Sequence, residues 1–128
     1  MLDVRIYYED TDAGGVVYYA NYLKYFERAR TEHLRKMGIE IKDMLKRGIT
    51  FIVVRTEIDY KSPARLGDVL QVETGIKDVS KASFWVDYII RRKEDEKIIV
   101  IGRTRMSCVN NDGKPIRLPE DVIKKMQC

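Results

Sequence analysis

Three acidic side chains stand directly ahead of a pair of glycines near the start of the chain. The segment reads YYEDTDAGGVVYYANY from Tyr7 to Tyr22, with Glu9, Asp10 and Asp12 before Gly14–Gly15. Carboxylates beside a glycine turn are typical of a ligand, metal or catalytic site, because glycine lets a ligand approach the backbone closely. The chemistry of this segment depends on which carboxylate is free to act.

Three interpretations of the acidic segment compete. In the first, Asp10 and Asp12 only cap backbone amides of the turn and of the helix that follows. In the second, the sequence DTD supplies oxygen ligands to a hard cation, although two carboxylates two residues apart are weak evidence for such a site. In the third, one carboxylate is catalytic. On an extended chain Tyr8, Asp10 and Asp12 would point to the same side.

A helix that starts near residues 17–21 gives the third interpretation a physical basis. The first N–H groups of a helix lack partners within the helix, and the helix dipole adds partial positive charge at that end. These amides can polarise a carbonyl group and hold a developing oxyanion, while a neighbouring carboxylate attacks the carbonyl or deprotonates a water. Together they suffice for acyl transfer without a His, Ser or Cys nucleophile.

The composition narrows the possible chemistry. The chain has 128 residues, 45% hydrophobic and 34% charged, which predicts a single globular domain over residues 1–128. His33 is the only histidine and falls inside a helical pattern, so a Ser-His-Asp triad or a His-rich metal site is not expected. Cys108 and Cys128 are too few for a disulfide framework, and we expect no function for either. We predict no metal and no cofactor.

The charge and hydropathy patterns limit the possible partners. A net charge of +4 suits a polyanionic partner, but Lys and Arg are spread along the chain without a nucleic-acid-binding motif. No apolar run approaches the ~18 residues that a membrane span needs. The N-terminal sequence MLDVRIYYEDTD lacks the pattern of a signal peptide. We therefore expect a cytoplasmic protein with no nucleic-acid partner and no membrane span.

The hydrophobic periodicity predicts an α+β domain. Alternation indicates a strand over residues 2–9, and apolar residues at three- and four-residue steps indicate a long helix over 21–37. The remaining patterns indicate four strands and a short final helix, at 51–60, 69–79, 84–92, 98–109 and 118–126. Because no helix separates the four strands, hairpins would join them into an antiparallel sheet. That sheet should wrap around the long helix and bury its apolar stripe.

The second face of this sheet would mix apolar and polar side chains. We place six residues on it: Val53, Arg55, Glu57, Asp59, Val72 and Thr74. Another subunit often covers such a face, so we expect at least a homodimer.

The motif from residue 7 to residue 32, YYEDTDAGGVVYYANYLKYFERARTE, strongly resembles the opening of the hotdog-fold acyl-CoA thioesterases. These are the 4-hydroxybenzoyl-CoA thioesterase family and its YbgC-type bacterial members. FIVVRTEIDYKSPARLGDVLQVET, from residue 51 onward, resembles the family's second and third strands. The resemblance implies the hotdog fold, in which an antiparallel sheet wraps around one long central helix. It also implies homodimers, often paired into homotetramers, with active sites between subunits.

The resemblance assigns roles to particular residues of this chain. It implies that Asp12 is the catalytic nucleophile or general base and that the backbone amide near Tyr19 polarises the thioester. Tyr8 matches a tyrosine that lines the active site of YbgC-type members, and Gly15 and Tyr18 would contact the substrate. Many YbgC-type relatives have histidine at the position of Tyr19, and a tyrosine does not titrate near neutral pH as histidine does.

Four further residues would contact the rest of an acyl-CoA substrate. Coenzyme A carries several phosphate charges, which family members meet with Lys and Arg at strand ends. Lys81 matches such a position, and Arg65 is a weaker candidate. On family analogy Thr50 and Phe51 would line the acyl pocket from the neighbouring subunit.

The sequence thus predicts an acyl-CoA thioesterase that releases a free acid and CoA without a cofactor. The alternative is a non-catalytic module that binds acyl-CoA or an acyl-carrier protein. A cation-dependent enzyme built on DTD is a weaker option. A hotdog dehydratase is disfavoured, because such enzymes use a histidine beside the site and His33 lies too far along the helix.

Overall fold

The computed structural model describes residues 1–127, so the prediction for Cys128 lies outside the described residues. Its elements are β1 (Leu2–Arg5), a 3-10 turn (Tyr8–Asp10), α1 (Asn21–Lys36), α2 (Ile41–Lys46), β2 (Thr50–Tyr60), β3 (Val69–Lys77), β4 (Ser83–Arg92), β5 (Ile98–Val109) and α3 (Glu120–Gln127). The strands form one antiparallel sheet in the order β1-β3-β4-β5-β2. The predicted α+β class is confirmed. No helix within residues 1–127 is long and apolar enough to span a membrane.

Helix α1 packs its apolar side onto one face of the sheet. The ring of Phe26 stacks on Tyr88 of β4 with ring centroids 4.1 Å apart. A Cβ atom at Gly102 of β5 would come within 2.6 Å of the same Phe26 ring, so this position requires glycine. The helix side chains that are buried in this way are Tyr22, Tyr25, Phe26, Ala29 and Leu34. The apolar stripe predicted for the long helix is therefore the contact surface that positions its N-terminal end.

The first strand is shorter than the alternation pattern predicted. It ends at Arg5, and residues Tyr8–Asp10 form a 3-10 turn instead of continuing as a strand. The carboxylate of Asp10 accepts the backbone N–H of Tyr7 at 2.8 Å, so the segment closes on itself. The prediction that Tyr8, Asp10 and Asp12 share one side of an extended chain is therefore wrong.

The assignment of the second sheet face was wrong for three of its six residues. A bulge between Val53 and Arg55 shifts the register of β2 against β5, and the alternation resumes in the opposite phase. Val53 therefore lies on the α1 face. Val72 is buried and Thr74 pairs with the buried Tyr88, so both also lie on the α1 face. Three residues do lie on the outer face as predicted: Arg55, Glu57 and Asp59.

Candidate active site

The acidic segment forms a tight reversal that pairs with itself. The N–H of Asp12 donates to the carbonyl of Val16 at 2.8 Å, and Thr11 pairs with Val17 as an antiparallel bridge. Gly15 adopts φ +79°, a left-handed conformation that favours glycine. The reversal, residues 11–17, is called the acidic loop below. It presents Asp12 at its turn and returns the chain to the start of α1.

Asp10 serves the local structure. Its carboxylate is engaged by Tyr7, and its backbone carbonyl accepts the N–H of Tyr18 at 3.0 Å. The same carbonyl accepts the side-chain amide of Asn21 at 2.8 Å. The Asp10 carboxylate thus caps an amide of the turn, as in the first interpretation, but it does not cap α1, which Asp10 contacts through its backbone carbonyl.

Asp12 is exposed and only partly engaged. Its Oδ1 accepts the N–H of Gly14 at 2.8 Å, and within residues 1–127 its Oδ2 has no hydrogen-bond partner. The turn thereby fixes the orientation of the Asp12 carboxylate and leaves Oδ2 available to a substrate or a water. Within the same described part of the chain, no three His, Cys, Asp or Glu side chains group together as metal ligands.

An unpaired amide lies at the end of α1 that follows the acidic loop. The N–H of Asn21 donates to the carbonyl of Tyr18 at 2.9 Å, and the N–H of Leu23 donates to Ala20 at 3.2 Å. The N–H of Tyr19 has no acceptor among the described residues. A free amide at the positive end of a helix dipole suits the binding of a polarised carbonyl oxygen.

The side chain of Tyr19 belongs to a cluster of tyrosines. The ring of Tyr19 lies 4.7 Å from that of Tyr18 and 6.3 Å from that of Tyr60, measured between centroids. Tyr60 in turn contacts Tyr22 at 5.8 Å. Burial raises the pKa of both Tyr22 and Tyr60, so their hydroxyls stay protonated at neutral pH. Tyr8 lies just before the acidic loop with its side chain 82% exposed.

Tyr60 is a member of this cluster that the sequence did not predict. It ends an ordinary strand pattern and belongs to no motif, and its partner Tyr19 lies 41 positions away in the chain. Only the pairing of β2 at the edge of the sheet brings the two together.

Arg65 lies beside the acidic loop. Its backbone pairs with Val16, and the neighbouring carbonyl of Ala64 accepts the N–H of Val17 at 2.8 Å. The structure therefore brings six predicted site residues to one end of the sheet. They are Tyr8, Asp12, Gly15, Tyr18, Tyr19 and Arg65.

The other three predicted residues lie at the opposite end. Phe51 pairs with Cys108, whose N–H donates to the carbonyl of Ala82 next to Lys81. Phe51 and Tyr60 stand near the two ends of the 11-residue β2, about 30 Å apart along an extended strand. Thr50 and Phe51 line a separate cavity of about 100 Å³ between α1, α2 and β2. Within one chain the predicted site residues therefore do not converge.

Known proteins are similar to this chain in both sequence and fold. A family model described as the thioesterase-like superfamily matches residues 7–126. An acyl-CoA thioesterase YbgC from Haemophilus influenzae is 40% identical, and the match covers 93% of this chain and 88% of that protein. An acyl-CoA thioester hydrolase YbgC from Escherichia coli O6:H1 is 35% identical, with 97% and 92% covered.

Solved structures give the same picture of the architecture. A 4-hydroxybenzoyl-CoA thioesterase from a Pseudomonas strain superposes with a TM-score of 0.90 at 26% identity, covering 97% of this chain and 96% of that one. A DHNA-CoA thioesterase from Staphylococcus aureus gives a TM-score of 0.92 at 28% identity, covering 98% and 89%. The predicted hotdog fold is confirmed.

Proposed function

The chain belongs to the thioesterase-like superfamily, and from this membership we propose that it is an acyl-CoA thioesterase with Asp12 as its catalytic carboxylate. The proposal is supported by an exposed carboxylate with one free oxygen and by an amide before α1 that has no acceptor within residues 1–127, both at the same end of the sheet. The YbgC relatives named as acyl-CoA thioesterases support the reaction class. A cytoplasmic location is part of the same proposal.

The reaction follows from the chemistry of a thioester. The acyl carbonyl oxygen accepts the N–H of Tyr19, which stabilises the negative charge that develops as the carbonyl carbon is attacked. Asp12 either attacks this carbon itself or takes a proton from a water that attacks. In the first route the attack forms a mixed anhydride between Asp12 and the acyl group, while the C–S bond breaks and CoA leaves as a thiolate. Water then hydrolyses this anhydride and frees Asp12. Both routes consume one water and release a free acid and CoA.

The remaining predicted residues of this end lie in or next to the acidic loop. Gly15 and Tyr18 lie on either side of the turn that returns to α1, and Tyr8 precedes the acidic loop. Arg65 offers an exposed guanidinium beside the loop for a CoA phosphate. In the proposal these residues contact the CoA and thioester parts of the substrate.

The free edge of β2 supports a homodimer. β2 pairs with β5 on one side only, and residues 52–57 are all exposed. Ile52, Val53 and Val54 are 39%, 45% and 50% exposed along this edge. An unpaired strand edge that carries apolar side chains is a template for pairing with another chain.

A two-fold dimer through this edge would complete the active site. Antiparallel pairing of β2 with its copy places the Phe51 end of one chain beside the Tyr60 end of the partner. Thr50, Phe51 and Lys81 of the partner would then approach Asp12 and Tyr19, and the acyl pocket would form between subunits. In the proposed homotetramer, two such dimers meet through the outer sheet face, where Ile101 is 36% exposed.

The test is CoA release from a panel of acyl-CoAs by the wild type and by Asp12→Asn. Asparagine keeps the size of the side chain but can neither attack nor accept a proton as the carboxylate does. We expect kcat to fall by about 100-fold or more, with the thermal midpoint unchanged. Glu9→Gln, which removes an exposed neighbouring carboxylate, is the matched control and should keep full activity.

The other outcomes separate the competing functions. Equal rates in wild type and Asp12→Asn would remove Asp12 from the mechanism. Tight binding of acyl-CoA without hydrolysis in either protein would favour the binding module. A rate that disappears with a chelator and returns with a divalent cation would favour the metal-dependent alternative.

A further inference from the structure

Arg92, at the end of β4, forms hydrogen bonds to both ends of the loop from Pro63 to Asp68. Its Nε donates to Oδ2 of Asp68 at 3.1 Å, and its Nη2 donates to the carbonyl of Pro63 at 2.9 Å. Its Nη1 is held by Asp95 at 3.0 Å. The side chains of Arg92 and Asp68 are only 16% and 19% exposed, so solvent screens this ion pair less than the surface pairs of the chain.

Asp68 also forms hydrogen bonds to the backbone of its own loop. The Oδ2 atom that Arg92 holds also accepts the N–H of Arg65 at 2.9 Å. The N–H of Asp68 donates back to the carbonyl of Arg65 at 3.0 Å. The turn from Arg65 to Asp68 is therefore closed on both sides and fixed to the sheet through one guanidinium.

The fixed turn in turn holds the acidic loop. The N–H of Val17 donates to the carbonyl of Ala64 at 2.8 Å, and Val16 pairs with Arg65. The carbonyl of Val16 accepts the N–H of Asp12, also at 2.8 Å. An unbroken series of hydrogen bonds and backbone pairs thus runs from the sheet to the candidate catalytic residue.

We propose that Arg92 is a positioning residue, which holds the acidic loop, and with it Asp12, in place through Asp68 and the Ala64–Arg65 backbone. The planar fork of arginine can bind the carboxylate and the Pro63 carbonyl together, whereas a lysine ammonium on its flexible stem cannot reproduce that geometry. The effect of Arg92 on rate rests on the proposed function. Its effect on the acidic loop does not.

The experiment compares Arg92→Gln and Arg92→Lys with a variant of a second Arg–Asp pair, which lies elsewhere on the surface. Arg47 donates two hydrogen bonds to Asp121 at 3.0 and 3.1 Å, between α2 and α3, with no contact to the acidic loop. Arg47→Gln is therefore the control. Amide hydrogen exchange, resolved by residue, is measured for Asp12 and Val17 together with kcat and KM.

We expect Arg92→Gln to speed exchange at the Asp12 and Val17 amides by about tenfold or more, while amides in the β4–β5 ladder stay protected. In the same variant kcat should fall by about tenfold and KM should stay within about threefold. Arg92→Lys should lie between the wild type and Arg92→Gln. Arg47→Gln should change neither loop exchange nor kcat.

Unchanged loop exchange in Arg92→Gln would overturn the positioning role, as would equal acceleration across the whole sheet. Faster loop exchange with an unchanged kcat would overturn the link to catalysis. If the wild type hydrolyses no acyl-CoA, the proposed function fails, and loop exchange alone then decides whether Arg92 holds the loop. Arg92→Lys provides the same readout if the glutamine variant does not fold.

Discussion

The hydroxyl of Tyr60 donates a hydrogen bond to the carbonyl oxygen of Tyr19, 3.4 Å away. The two rings also meet edge to face, with an interplanar angle of 88°. Tyr60 ends β2 and Tyr19 precedes α1, so the sheet fixes Tyr19, whose N–H has no acceptor within residues 1–127. In the proposed mechanism Tyr19 contributes this backbone N–H, which is compatible with a tyrosine at a position where many YbgC-type relatives have histidine.

A pair of substitutions at Tyr19 separates the amide from the side chain. Tyr19→Phe keeps the N–H, and kcat should stay within about threefold of the wild type. Tyr19→Pro removes the N–H, and kcat should fall by about 100-fold or more. Circular dichroism and thermal melts check that both variants fold. A similar loss in both would assign the role to the hydroxyl, and a fully active Tyr19→Pro would exclude the amide.

The free edge of β2 allows a test of assembly. Val54 is the residue that the bulge leaves out of the register with β5, and a lysine there places a charge on the edge. Val54→Lys should be monomeric in analytical ultracentrifugation and should lose most of its activity. Ile101→Lys, on the outer sheet face, should reduce a tetramer to a dimer and keep activity. A dimeric, active Val54→Lys would contradict the proposed interface.

Gly102 is predicted to be essential for the packing of α1 on the sheet. An added Cβ would meet Phe26 Cζ at 2.6 Å and the carbonyl of Glu57 at 3.0 Å, and the stacked ring of Tyr88 blocks the retreat of Phe26. Gly102→Ala should lower the free energy of unfolding by about 1–3 kcal/mol in chemical denaturation. Gly75→Ala, which meets only the flexible end of Lys77 at 3.8 Å, is the control. Equal stability of the two variants would refute this packing.

His33 should make stability fall as the pH is lowered. Burial lowers the pKa of His33 in the folded chain, and the positive charges of Lys36 and the N-terminus add to this effect. His33 lines an open surface cavity together with two acidic residues, Glu32 and Glu73. The unfolded chain thus binds the proton at a higher pH than the folded chain does, and stability falls as pH drops below about 6.5.

The measurement is the thermal midpoint at about pH 7.5 and about pH 5. His33→Gln, which cannot be protonated, should show a smaller drop between the two than the wild type. Carboxylates with lowered pKa values, such as Asp121 beside Arg47, act at lower pH and are common to both proteins. Identical drops in the two proteins would show that His33 does not contribute.

The local signals of the sequence were reliable where neighbouring residues decide the structure. The glycine turn after Asp12 and the start of α1 near Asn21 depend on a few adjacent residues, and both are confirmed. The different contacts of Asp10 and Asp12 were not readable, because both stand in the same pattern. Only Asp10 accepts hydrogen bonds from Tyr18 and Asn21. These two residues lie at the start of α1, where the chain has folded back onto Asp10.

The features that could not be predicted depend on contacts between distant parts of the chain. The bulge at Val54 changes the phase of β2 through its partner strand, and no residue within β2 marks it. Tyr60 and Arg92 resemble ordinary strand residues in sequence. Their roles arise because the sheet places them beside Tyr19 and Asp68, 41 and 24 positions away.

Asp12 and Lys81 lie at opposite ends of the sheet, and this separation has a consequence when chains with different substitutions are mixed. In the proposed dimer each site takes its acidic loop from one chain and its Lys81 end from the other. A heterodimer of an Asp12→Asn chain and a Lys81→Ala chain then has one site with both defects and one site with none. Two preparations that are each impaired at every site, unfolded together and refolded as a mixture, should complement each other and recover activity that neither has alone.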